Sequence, residues 1–186
     1  MDIFNEAIIF ATEVHAGDKR KGTNVPYIVH PLEAAAIVAT MTDDKEILAA
    51  AVLHDVVEDT DYTAEDVKQK FGERIARLVA SDSENKRREL PSEETWKIRK
   101  EETLDYLENK ATKEEKMIVL GDKLSNIRAI YRDYFVLGDD LWDRFNQKNK
   151  SEHAWYYCGI AKRLGELSDT AAYKEYTELL EKVFND

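Results

Sequence analysis

Apolar residues recur at intervals of three and four positions along most of this chain, a spacing typical of amphipathic helices. Glycine, serine, threonine and aspartate stand where such stretches begin or end, as expected of helix caps. The pattern predicts helices over residues 2–16, 31–39, 45–59, 63–71, 73–81, 92–109, 113–133, 141–145, 152–167 and 171–184. Strand-like alternation is nearly absent, so the sequence predicts an all-α fold of about 8–10 helices.

Composition and charge narrow the class of protein. A length of 186 residues suits one domain with one core. The formal net charge of -11 disfavours a nucleic-acid partner, because binding to a phosphodiester backbone needs a basic face. No stretch approaches the ~18 consecutive apolar residues of a membrane helix, so no membrane partner is predicted. A single cysteine and an N-terminus without the basic region of a signal peptide predict a cytoplasmic protein, whose oligomeric state stays undetermined.

The stretch with the highest density of side chains able to bind metal or transfer protons spans residues 54–60. Its reactive side chains are His54, Asp55, Glu58 and Asp59. If residues 45–59 form one helix, the histidine and the glutamate continue an apolar stripe that should face the core. Buried charge needs a partner, and a divalent cation suits a His-Asp pair. The alternative is a solvated acidic helix end with an ordinary core histidine, but two further acids one turn later favour the metal site.

Two more polar residues fall at positions where burial is expected. His30 precedes Pro31, the predicted first residue of a helix, and follows a short apolar segment. Asp122 lies in helix 113–133, which carries apolar residues on both sides. A helix cap and an aspartate paired with Lys or Arg are the simpler alternatives. Together with the His-Asp pair, these residues offer two imidazoles and two carboxylates, a set that suits Mn²⁺ or Fe²⁺ and also Zn²⁺.

Two loops interrupt the helical pattern. The first, residues 18–26, is basic and contains Arg20 and Lys21, so it is either a solvated turn or a phosphate-binding segment. The second, residues 81–91, is the most polar part of the chain, and its composition predicts a mobile loop.

Several motifs occur together in a fixed order: Arg20-Lys21, Pro26-Tyr27-Ile28-Val29-His30-Pro31, Leu53-His54-Asp55-Val56-Val57-Glu58-Asp59-Thr60, Phe71-Gly72, Arg99-Lys100 and Gly121-Asp122-Lys123-Leu124-Ser125-Asn126-Ile127-Arg128. At these positions the chain resembles the HD superfamily of metal phosphohydrolases, and within it the hydrolase domain of RelA/SpoT homologues. The resemblance covers roughly residues 5–165 and implies one HD-type domain over residues 1–186. That length leaves no room for a synthetase domain, so the chain resembles the stand-alone small alarmone hydrolases.

The resemblance implies a role for each of these positions. One Mn²⁺ per chain would be bound by His30, His54, Asp55 and Asp122. Water would be activated by Glu58 and Asp59. The nucleotide would be contacted by Arg20, Lys21, Asn126, Lys123 and Arg99. The implied reaction removes the 3′-pyrophosphate of guanosine tetra- or pentaphosphate, which gives a small phosphorylated nucleotide as the partner.

Other functions stay open at this point. The large bifunctional relatives usually read Asp-Arg-Leu-His-Asn where this chain has Asp122-Lys123-Leu124-Ser125-Asn126. Another HD phosphohydrolase would act on a nucleoside monophosphate, (p)ppApp or the 2′-phosphate of NADPH. A different class is a regulatory or antitoxin module that binds a nucleotide without turnover. The Glu58-Asp59 pair argues against that class, since binding alone needs no proton acceptor.

Overall fold

The computed structural model describes residues 2–82, 87 and 89–185. Over these residues the chain forms ten α-helices and two 3₁₀ helices and no strand, which confirms the predicted all-α class. The α-helices are α1 Ile3–Val14, α2 Val29–Val38, α3 Lys45–Leu53, α4 Val56–Asp59, α5 Ala64–Phe71, α6 Glu73–Asp82, α7 Ser92–Asn109, α8 Lys113–Leu137, α9 Lys150–Arg163 and α10 Ala171–Phe184. The 3₁₀ helices are Gly138–Arg144 and Gly165–Leu167.

The chain divides into two compact units. The first comprises residues 1–83 and 112–125, and the second comprises residues 84–111 and 126–186. Helix α8 begins in the first unit and ends in the second. That the two units fold as one domain stays a prediction. None of the helices in the described part of the chain combines the length and apolar character needed to cross a membrane.

Helix α3 is the centre of the first unit. It packs against α1, α2 and α6, and its residues from Ala49 to Leu53 are completely buried. A helix that is apolar all round has to lie inside the protein, and its three consecutive alanines let neighbouring helices approach closely. Asp44 caps its N-terminus by accepting the backbone N–H of Glu46 at 2.9 Å. The end of α3 therefore delivers the residues that follow it into the core.

A single helix over residues 45–59 was predicted, and that prediction is wrong. Helix α3 ends at Leu53, and α4 begins at Val56. The reason lies in the side chain of His54, whose Nδ1 contacts the carbonyl oxygen of Ala51 at 2.8 Å. In a continuous helix that carbonyl would accept the backbone N–H four residues later. A side chain that takes a backbone acceptor competes with the helical ladder, so the helix is interrupted at the His-Asp pair.

One further helix start differs from the prediction, and another agrees with it. Helix α2 begins at Val29, so Pro31 is its third residue; the first-turn N–H groups lack helical acceptors, and proline is tolerated there. Helix α7 begins at Ser92, and its N-cap is Pro91, which has no N-cap side-chain hydrogen bond. The extended ψ of 134° at Pro91 sets that boundary. Within the predicted polar loop 81–91, residues 83–86 and 88 lie outside the described residues.

The second unit is built around aromatic side chains. The ring of His153 on α9 lies 5.0 Å from that of Trp142 and 5.1 Å from that of Phe145. The His153 Nε2 lies 2.7 Å from the carbonyl oxygen of Gln147, and burial lowers the pKa of this histidine. Tyr176 on α10 is fully buried and donates its hydroxyl to the carbonyl of Tyr157 at 3.0 Å. These contacts are those of a structural core.

Helices α2 and α8 approach each other closely at Gly121. A Cβ atom at this position would lie 2.7 Å from Cγ2 of Val38 and 2.8 Å from the carbonyl oxygen of Ala34. Glycine in a helix interior is unfavourable on its own, so its place here reflects the close packing of the two helices. Asp122 is the next residue, and this packing brings it up to α2.

We expect Gly121→Ala to destabilise the protein by about 1–3 kcal/mol, because one added carbon overpacks a tight contact. Gly165→Ala is the matched control, since its Cβ would meet no atom within 4 Å. Chemical denaturation of both variants measures the difference. Equal stability of the two variants would contradict the close approach.

Candidate metal centre

The four predicted metal ligands come together inside the first unit. Helix α2 supplies His30, the junction of α3 and α4 supplies His54 and Asp55, and α8 supplies Asp122. The Nε2 of His30 lies 3.5 Å from Oδ2 of Asp55 and 3.2 Å from Oδ1 of Asp122. The Nε2 of His54 lies 3.0 Å and 3.7 Å from the same two oxygens. Two nitrogens and two oxygens thus alternate around a common centre.

These separations fit a divalent ion. Ligand atoms that each lie about 2.0–2.2 Å from one ion are about 2.8–3.6 Å apart at tetrahedral or octahedral angles. Three of the four observed N···O distances, from 3.0 to 3.5 Å, fall within that range, and the fourth, 3.7 Å, lies just above it. The ligand atoms of His30, His54 and Asp122 all lie within 4.8 Å of one another, and all three residues are buried. The geometry and the donor types therefore suggest a divalent metal site.

Both histidines present the nitrogen that a metal needs. His54 donates Nδ1–H to the Ala51 carbonyl, which leaves the lone pair of Nε2 facing the two carboxylates. The Nδ1 of His30 lies 2.8 Å from the hydroxyl oxygen of Ser125. Burial lowers the pKa of His30, so the neutral imidazole, which is the form that binds a metal, is favoured.

Asp122 is held in its ionised form by a neighbour in sequence. Burial alone would raise its pKa, but its charged and polar neighbours, led by the ammonium group of Lys123, outweigh burial and hold the pKa well below its usual range. The Lys123 Nζ contacts Oδ2 of Asp122 at 2.5 Å, while Oδ1 faces the histidines. The structure thus places Lys123 beside a predicted ligand; its predicted contact with substrate stays a prediction.

Tyr27 is a residue of this site that sequence reasoning missed. Its hydroxyl lies 2.6 Å from Oδ2 of Asp55 and 2.9 Å from Oδ2 of Asp59. Burial and the two carboxylates raise the pKa of the phenol far above its usual range, so it keeps its proton. In the sequence analysis, Tyr27 was only part of the short apolar segment that precedes His30. A tyrosine hydroxyl that is expected to be buried needs a hydrogen-bond partner. That requirement could have indicated from sequence that Tyr27 contacts polar residues of the site.

The two predicted catalytic carboxylates both lie on α4. Asp59 is exposed and reaches the same phenol as Asp55, while Glu58 is half-buried one residue earlier. Helix α4 is a separate turn that begins directly after the break at the His-Asp pair. The arrangement puts Asp59 beside the four ligand atoms, linked to Asp55 through one side chain.

Residues 7–166 match a family model described as an HD domain. The chain belongs to the HD domain family. A relative from Aquifex aeolicus, named guanosine-3′,5′-bis(diphosphate) 3′-pyrophosphohydrolase, is 36% identical over 95% of this chain and 24% of its own length. The Danio rerio relative of the same name, MESH1, is 35% identical over 68% of each chain. This HD domain thus spans about a quarter of the Aquifex aeolicus relative.

A solved structure gives a similar comparison. It is described as a metazoan ortholog of SpoT that hydrolyzes ppGpp. It superimposes with a TM-score of 0.77 and 26% sequence identity, over 98% of this chain and 96% of the other. The predicted HD-domain fold is therefore confirmed.

The predicted substrate-binding residues of the HD domain fall into two groups. Arg20 is half-buried with its guanidinium 5.7 Å from the centre of the Tyr27 ring, and Lys21 is exposed in the same loop. A cleft of about 250 Å³ beside them is lined by His15, Asp18, Lys19, Tyr27 and Asp59. Arg99 and Asn126 belong to the second unit, and their contact with a nucleotide stays a prediction.

We expect the wild-type protein to bind one divalent ion per chain and the His54→Ala and Asp122→Asn variants to lose it. Asp122→Asn keeps the shape of the side chain and removes its charge, so its effect does not arise from a cavity. Asp61→Ala, which changes an exposed acid just after α4, is the control. Elemental analysis after reconstitution with Mn²⁺ and dialysis measures the ion content. Full retention of the ion in either ligand variant would show that the ligands are assigned wrongly.

Proposed function

We propose that this HD domain removes the 3′-pyrophosphate of guanosine tetra- or pentaphosphate by hydrolysis. The observation that carries the proposal is the meeting of two imidazole nitrogens and two carboxylate oxygens, with N···O distances of 3.0–3.7 Å, beside a carboxylate that is not one of them. The names of the Aquifex aeolicus and Danio rerio relatives support the same substrate. Water is the second reactant, and the products are a 5′-phosphorylated guanosine and pyrophosphate.

We propose Mn²⁺ as the ion, one per chain, held by His30, His54, Asp55 and Asp122. A mixed set of imidazole and carboxylate ligands suits borderline-hard ions, so Fe²⁺ and Zn²⁺ are the competing choices. When bound there, the ion supplies Lewis acidity toward a phosphoryl oxygen and toward water. The protein supplies the remaining functions through its own side chains.

Asp59 and Glu58 are the proposed proton acceptors. An attacking water has to lose a proton as its oxygen bonds to phosphorus, and a carboxylate within hydrogen-bond reach lowers that barrier. Asp59 is exposed at the edge of the site and fixed there by the Tyr27 hydroxyl. Because Tyr27 keeps its own proton, it orients Asp59 and does not take the proton itself.

Arg20 and Lys21 are the proposed phosphate contacts. A chain of net charge -11 repels a polyphosphate, so binding requires a local concentration of positive charge. The loop of residues 18–26 provides it next to Tyr27, and a guanidinium group can bind two phosphate oxygens at once. These cations also offset the charge that accumulates on the phosphoryl group during the reaction.

A panel of nucleotides tests the reaction. Purified protein with Mn²⁺ is incubated separately with guanosine tetraphosphate, its adenine counterpart, NADPH and a nucleoside monophosphate, and products are separated by chromatography. We expect GDP and pyrophosphate from guanosine tetraphosphate at the highest rate. A preference for NADPH or the monophosphate would replace the proposed substrate, and binding without any turnover would favour a regulatory module.

We expect Asp59→Asn and Glu58→Gln to lower turnover by about 10²–10⁴-fold, the usual size of a general-base contribution. Both changes keep the shape of the side chain and remove its ability to accept a proton. Metal content and nucleotide affinity should stay close to those of the wild-type protein, and Asp61→Asn should leave turnover unchanged. Steady-state kinetics with metal content checked decide the matter. Unchanged turnover in both variants would mean that α4 is merely a solvated helix end.

A further inference from the structure

Behind the metal centre, three side chains form a continuous chain of hydrogen bonds. Ser125 on α8 is buried, with 2% of its surface exposed. Its hydroxyl oxygen lies 2.8 Å from Nδ1 of His30 and 2.7 Å from Oε2 of Glu33. His30 and Glu33 are three residues apart on α2, so they lie on the same side of that helix. The hydroxyl therefore joins two residues of α2 through one residue of α8.

The direction of these hydrogen bonds follows from the number of protons. A serine hydroxyl carries one proton and two lone pairs, whereas a carboxylate only accepts. The hydroxyl therefore donates to Glu33 and offers a lone pair to His30. Nδ1 of His30 then has to be the nitrogen that carries the proton. Its other nitrogen, Nε2, is left with a lone pair directed at Asp55 and Asp122.

We propose that Ser125 and Glu33 are positioning residues that fix His30 in the tautomer able to bind a metal. The proposal rests on the metal site described above and is independent of which nucleotide is hydrolysed. Neither residue is one of the four predicted metal ligands, and neither contacts a reacting group. Both act through the imidazole of His30. Side chains that orient a metal-binding histidine in this way commonly contribute about 10–100-fold to metal affinity.

The two histidines of the site are supported differently. His54 donates to a backbone carbonyl of its own helix, and that acceptor persists whatever side chain occupies position 51. His30 depends on two side chains, one of them on another helix. The close approach of α2 and α8 at Gly121 brings that second helix within reach. His30 is therefore the ligand whose tautomer is sensitive to a single substitution outside the metal-binding set.

Ser125→Ala and Glu33→Ala test the proposal in the absence of nucleotide. Mn²⁺ affinity is measured by titration calorimetry, and the tautomer of His30 is read from ¹⁵N chemical shifts of the metal-free protein. We expect Ser125→Ala to lower affinity by about 10–100-fold and to shift His30 from Nδ1–H toward a mixture with Nε2–H. Glu33→Ala should shift both quantities in the same direction, because the hydroxyl then becomes able to donate to His30.

Ser81→Ala is the matched control, since it removes a serine hydroxyl that donates to the carbonyl of Leu78 in the same unit. Circular dichroism verifies that each variant is folded, and Glu33→Ala carries the test if Ser125→Ala does not fold. An unchanged His30 tautomer in the folded variants overturns the proposal, whether or not affinity changes. Absence of nucleotide turnover in the wild-type protein would instead count against the proposed reaction, because the tautomer is measured without metal or substrate.

Discussion

The structure of the first unit depends on one electrostatic requirement: buried polar atoms must be partnered. Two imidazole nitrogens and two carboxylate oxygens meet at 3.0–3.7 Å within a helical core, where unpartnered charge is costly. Each predicted ligand also contacts a supporting group outside the set of four. The four pairs are His54 with the Ala51 carbonyl, His30 with Ser125, Asp55 with Tyr27, and Asp122 with Lys123. The site is therefore a set of eight groups, half of which orient the other half.

Helix positions follow from this set. The apolar helix α3 lies at the centre of the unit, and the break between α3 and α4 falls at the His-Asp pair. Gly121 lets α8 approach α2, so that residues of both helices face the same point. Arg74 on α6 adds a peripheral tie, since its guanidinium binds Asp44 and Glu46 at the start of α3 and Glu114 at the start of α8. Packing and the candidate metal site thus depend on the same helix-to-helix contacts.

The sequence identified the polar residues that meet at the centre better than the residues that support them. His30, His54, Asp55 and Asp122 stood out because polar residues on apolar helices need an explanation, and periodicity alone identifies such positions. Neither Tyr27 nor Ser125 was predicted to support another residue of the site, since their partners lie 28 and 95 residues away in the chain. Such pairings depend on how helices pack, which local patterns do not contain. The Ala-rich run before His54 likewise predicted a continuous helix. Helix propensities do not reveal that the imidazole of His54 hydrogen-bonds to the carbonyl of Ala51.

The position of Tyr27 has a consequence for the evolution of such a site. Its phenol carries one proton, yet it lies within hydrogen-bond distance of Asp55 and of Asp59. The proposed metal ligand and the proposed proton acceptor therefore share a single hydrogen-bond donor. A change in the hydrogen bond to one carboxylate alters the hydrogen bond to the other. Ion affinity and proton transfer are two properties that selection or a protein engineer would want to adjust separately. In this domain a substitution at one tyrosine changes both, so the two properties can only evolve together there.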